Sequence, residues 1–152
     1  MFESAFRNGP DGTLDGKHGL EHPVFIHHSV GFYLIGCFAY LEGEDGTCSW
    51  KQPSQNNSDF DTFASSNPPS KTSFSTRGIT TESLNALVCI RNAIAHNDGD
   101  LSKNNDRSSL SKVTTANLPG VVINENTVTL EKELLEFIRV SALAVRQYHG
   151  DG

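Results

Sequence analysis

The run PVFIHHSVGFYLIGCFAYLEG at 23–43 constrains this chain more than any other segment. It is far longer than a strand, whose usual length is about 5 to 6 residues, and its opening proline suits a first helical turn. Apolar residues lie on nearly every side of such a helix from Val30 onward, which predicts a central core helix. A membrane span is the competing reading. His27, His28 and Ser29 interrupt its first part and leave about a dozen continuously apolar residues where about 20 are needed, so the core helix is preferred.

The rest of the chain is read around that helix. Its 152 residues fit one domain, and a hydrophobic fraction of 36% predicts that part of it contributes nothing to a core. Residues 1–22 carry GPDG and LDG turn signals and read as an irregular arm. Residues 43–78 are dominated by Ser, Asn, Asp, Pro and Thr and read as a long polar insertion, the least regular part of the fold. That insertion is either functional or hides short elements, and Trp50, Phe60, Phe63 and Phe74 are its expected anchors on the bundle. Thr80 is placed to N-cap a helix through TESLNALVCIRNAIAHN, with Glu82 in its first turn and Asn97-Asp98-Gly99 ending it. A polar loop at 100–112 then leads to a hairpin whose strands, 121–123 and 127–129, flank Asn124-Glu125-Asn126. LEKELLEFIRVSALAVRQYH forms a closing helix. The expected fold is all-α: a single-domain helical bundle over 1–152 with a long polar insertion and a small β-hairpin.

Charge limits the function. With 12 Lys+Arg against 18 Asp+Glu the net charge is -6, so the chain as a whole repels phosphate backbones, and any nucleic-acid role needs a local site. No basic face is evident, because Lys103, Arg107 and Lys112 are offset by Asp98, Asp100 and Asp106. Cys37, Cys48 and Cys89 form no CxxC pair and the N-terminus has no secretory pattern, which together suit a reducing cytoplasm. His18, His22, His27 and His28 match no ligand spacing, so neither a metal nor another cofactor is expected. Gly-rich phosphate loops and GxSxG are absent.

One constellation can carry chemistry. Arg91-Asn92-Ala93-Ile94-Ala95-His96 places an arginine within an apolar helix stripe, where an unpaired charge is costly, and a histidine at the helix end. Five positions at about 100° each leave the two side chains roughly 140° apart, so they converge only if the arginine reaches round and the last turn loosens. The C-terminal end of the helix dipole favours a protonated His96, and an Arg fork stabilises a phosphoryl oxyanion. The plainer reading pairs Arg91 with a carboxylate at the core edge and makes His96 a helix C-cap.

IRNAIAHNDGDL resembles the RNxxxH form of the HEPN superfamily motif, including the apolar residue before the arginine and the polar segment after the histidine. The likeness is close over 81–100 and looser in the order of a long apolar helix, a motif helix and a closing helix. It implies a metal-independent endoribonuclease working as a homodimer, with both motif helices building one composite site. His96 would be the general acid/base, Arg91 would hold the scissile phosphate, and Asn92 would orient them. The implied reaction is attack of an RNA 2′-hydroxyl on its own phosphate. The resemblance also suggests a toxin or defence effector, partnered by a cognate antitoxin or regulatory protein. Asp98 stands where toxins paired with nucleotidyltransferase antitoxins carry the modified tyrosine. The alternative is a non-catalytic HEPN-like interaction module that binds a protein or nucleotide.

Overall fold

Helix α1, Pro23–Glu42, begins where the Val24 amide donates to His22 Nδ1 at 3.1 Å, so a histidine supplies its N-cap. The computed structural model describes residues 22–42, 57–66 and 73–149; the expected arm up to residue 21, including His18, and Cys48 and Trp50 of the insertion lie outside them. Only one side of α1 enters the core. Val30, Leu34 and Phe38, four apart, are buried, while Phe32 and Tyr40 are 73% and 68% exposed. This corrects the expectation of a central helix covered all round: apolar side chains on every side do not say which side packs. The stretch Pro23–Tyr40 has a mean hydropathy of 1.2 and the length to cross a membrane, and in this fold it lies against the other helices and the hairpin.

The central helix is α3, Thr81–His96. Its Leu84, Leu87, Ile90 and Ala93 are fully buried between α1 and α4, the latter spanning Ser109–Ala116. Thr80 caps α3 as the sequence predicts, accepting from the Ser83 amide at 3.1 Å while Ser83 Oγ accepts from the Thr80 amide at 2.9 Å. A Cβ on Gly31 would lie 3.1 Å from Ile94 Cγ2, so the missing side chain allows α1 and α3 to cross closely.

Two segments read as irregular contain helices. Within 43–78, α2 forms at Asn57–Ser65 and a 3-10 turn at Ser75–Arg77, while 43–56 and 67–72 lie outside the described residues. Phe60 and Ala64, four apart, are fully buried; Phe60 meets Tyr148 edge-on at 5.3 Å, and Phe63 stacks on Phe74 at 5.9 Å. Asp61 Oδ1 then accepts from the Thr81 amide and hydroxyl at 2.8 and 2.9 Å, tying α2 to the start of α3. Helix α4 likewise starts inside the expected polar loop at 100–112. Ser109 and Val113 bury its inner side, and Asp106 accepts from the Ser108 amide and hydroxyl at 2.9 and 2.6 Å just before it. A single buried apolar side chain per turn is too faint a pattern to read from sequence.

Strands β1, Val121–Asn124, and β2, Thr127–Leu130, pair antiparallel with Val121 opposite Leu130. Backbone bonds from Val128 N to Gly99 O (2.9 Å) and from Leu101 N to Asn126 O (2.8 Å) stitch the hairpin to the exit of α3. Helix α5, Glu133–Tyr148, closes the fold against α1 and α2 and buries Leu134, Ile138 and Val145. The described part is thus mostly helical with one two-stranded sheet.

His27 joins α1 to β2 by accepting the Leu130 amide on Nδ1 at 3.1 Å. Burial and then neighbouring His28 push its pKa below the ordinary 6.5, with Asp98 acting the other way. Between the two values the unfolded chain holds more protons than the folded one, so stability rises with pH. The His27 contribution is complete above a pH of about 6.5 and is lost as pH falls through the lowered folded value. The urea midpoint should therefore drop between pH 7 and pH 5, and His27→Gln should flatten that dependence; an equal slope in both proteins would contradict it.

Candidate functional site

The Arg91, Asn92 and His96 side chains arise in the last two turns of α3. Arg91 is half-buried, with its guanidinium carbon 4.8 Å from the centroid of the Phe38 ring on α1. Its Nε is buried and meets no hydrogen-bond acceptor. The ion pairs among the described residues join Arg77 and Arg139 to Glu136 and Lys112 to Asp106, so no carboxylate there caps Arg91. Nearby acids are engaged locally: Asp100 accepts from the Ser102 amide and hydroxyl, and Lys112 beside Asp106 holds that carboxyl down at about 2. The expected plain pairing of Arg91 with a carboxylate is therefore not found among the described residues.

Asn92 is half-buried and His96 exposed, and neither side chain hydrogen-bonds within the described residues. The helix stays regular to its end, with the Asn97 amide donating to Ala93 O at 2.9 Å, so the last turn does not loosen. Arg91 and His96 keep their roughly 140° separation and stand about 7.5 Å apart along the axis. One copy of α3 therefore does not bring them together. Asn85, Val88, Asn92, Ala95 and His96 fall within about 100° of one another, with Arg91 at the edge of the strip. All of that strip is half-buried or exposed.

The segment after His96 is held firmly. Asp98 (φ 58) and Gly99 (φ 86) turn the chain, and the Gly99 amide donates to Ala93 O at 2.9 Å. Buried Asn104 is the tie beneath it: its Oδ1 accepts from Asn97 Nδ2 at 2.8 Å, and its Nδ2 donates to Cys89 O and Ser109 Oγ, both at 3.0 Å. Sequence reasoning passed over Asn104 because nothing in SKNNDRSS distinguishes it from its neighbours. It also passed over Phe38, whose ring under Arg91 depends on how α1 crosses α3. Asn104→Ala removes three hydrogen bonds and leaves the Asn97 amide without its acceptor, and should cost about 2 to 3 kcal/mol in chemical denaturation. A change under about 0.5 kcal/mol would show that water replaces the amide.

Among the described residues no group of three or more His, Cys, Asp or Glu is arranged to hold a metal ion. Comparison of the chain with protein-family models, curated proteins and solved structures finds no match.

Proposed function

We propose that the chain is an endoribonuclease of HEPN type that works as a homodimer. The observation carrying this reading is the uncapped arginine: Arg91 rests on Phe38 with no carboxylate among the described residues, leaving its charge available to a phosphate. A structural arginine at a core edge would be expected to spend its donors on the protein. The resemblance of IRNAIAHNDGDL to the HEPN motif supports the same role. Because Arg91 and His96 diverge on one helix, the reactive pair is formed between two copies, whose half-open α3 strips face each other across a two-fold axis. His96 moves the proton of the RNA 2′-hydroxyl or of the leaving 5′-oxygen, Arg91 stabilises the charged phosphoryl oxygens, and Asn92 orients the pair. The products are a 2′,3′-cyclic phosphate and a free 5′-hydroxyl.

Complementation tests the composite site. Arg91→Ala and His96→Ala proteins, each strongly impaired alone, should regain part of the cleavage when mixed, because a mixed dimer pairs Arg91 of one copy with His96 of the other. Light scattering at micromolar concentration should give twice the chain mass. A monomer, or mixing without recovery, contradicts this arrangement. A wild-type protein that cleaves no RNA would favour the second reading, an interaction module in which Arg91 stacks on Phe38 for structural reasons alone.

A further inference from the structure

Away from α3, helices α1 and α5 enclose an open groove of about 480 Å³. Phe32, Tyr33, Gly36 and Tyr40 line its α1 side, and Arg139 and Arg146 its α5 side. Phe32, Gly36 and Tyr40 are four apart, so the two outer rings share a face and are spaced about 12 Å along the axis. Nothing lies within 4 Å of where a Cβ on Gly36 would sit, which leaves a slot between the rings. Arg139 and Arg146, seven apart, share one face of α5.

The charged side chains lining this groove are both arginines, on a chain whose net charge is -6; Glu136 beside Arg139 offsets that one and leaves Arg146 as the uncompensated charge of the two among the described residues. The guanidinium carbon of Arg146 lies 5.7 Å from the Tyr40 ring centroid, and its donors meet no acceptor among the described residues. Arg139 gives Nε and Nη2 to Glu136 at 2.9 and 2.7 Å, which orients it and leaves Nη1 unspent. Exposed aromatic faces interleaved with guanidinium groups are the chemistry of single-stranded nucleic-acid recognition: bases stack on rings, and arginines hold phosphates.

We infer that this groove binds single-stranded RNA, with bases stacked on Phe32 and Tyr40 and phosphates held by Arg146 and Arg139. It rests on the ribonuclease reading for the identity of the strand, and gives the acidic chain the local RNA site that its composition lacks. Recognition of this kind is tolerant of sequence and weakened by salt.

The test is fluorescence anisotropy with a labelled 2′-O-methyl oligouridylate of 12 nucleotides, which 2′-hydroxyl attack cannot cleave. Wild type should bind. Tyr40→Ala and Arg146→Ala should each weaken binding about tenfold, and the arginine variant should also reduce the salt slope by about one. Gly36→Leu should weaken it similarly by filling the slot, where a Cβ meets nothing within 4 Å, and a thermal melt checks that the variant is folded. Binding that is absent in wild type, or unchanged in all three variants, overturns the groove. So does a loss accompanied by a halved mass in light scattering, or by loss of vesicle binding in a protein that ignores RNA; these outcomes assign the surface to a protein or a membrane. Groove-dependent binding by a protein that never cleaves RNA leaves the groove standing and removes the nuclease reading. Cleavage with unaltered binding in the variants does the reverse.

Discussion

Purified His96→Ala protein should cleave RNA a hundred- to ten-thousand-fold more slowly than wild type, the range associated with losing a general acid or base. His96 is exposed at the end of α3 and hydrogen-bonds to nothing among the described residues, so its removal should leave the folded state intact. Arg91→Ala should lose about 3 to 4 kcal/mol of transition-state stabilisation, by analogy with the loss of an oxyanion-hole donor. That variant also uncovers the Phe38 ring, so a thermal melt must accompany the assay. Asn92→Ala should cost less than either, because an orienting amide moves no proton. The chemistry as proposed assigns every step to side chains, so EDTA should not inhibit. Undiminished cleavage by His96→Ala, or cleavage that vanishes on chelation, would remove the mechanism.

Gly120→Ala should be the most damaging small substitution for stability. Gly120 has φ 78, a region that costs a residue with a Cβ about 1 to 2 kcal/mol. Its Cβ would also fall 2.5 Å from Leu134 N and 3.1 Å from Glu131 O, backbone atoms that cannot swing aside. The Glu131 amide donates to Gly120 O at 2.8 Å, so the same turn links the hairpin entry to the first turn of α5. Strain and overpacking together should destabilise by about 4 kcal/mol, lowering the melting temperature by roughly 8 to 16 °C in circular dichroism. A loss under about 1 kcal/mol would mean that the turn relaxes without cost.

Much of this architecture is written locally. Helix α3 could be read from its cap at Thr80, its apolar spacing and its Asn97-Asp98-Gly99 ending, and the hairpin from two β-rich runs around Glu125 and Asn126. Both depend on contacts within a few residues, where periodicity and turn chemistry act directly. The divergence of Arg91 and His96 on a regular helix was legible for the same reason. Helices α2 and α4 escaped because each is tied down by few buried side chains, Phe60 with Ala64 and Val113 with Ser109. Their stability comes from partners distant in sequence, such as Tyr148 on Phe60. The orientation of α1 was hidden by its abundance of apolar residues: with no polar side to exclude, only the close crossing at Gly31 and the bond from Leu130 to His27 decide which row faces inward. That choice buries Phe38 beneath Arg91 and turns Phe32 and Tyr40 outward beside Arg139 and Arg146. Sequence alone therefore determined that Arg91, Asn92 and His96 stand near the end of one helix and how they are spaced on it. Only the tertiary structure decided what surrounds them, because that is set by helix packing between segments far apart in the chain.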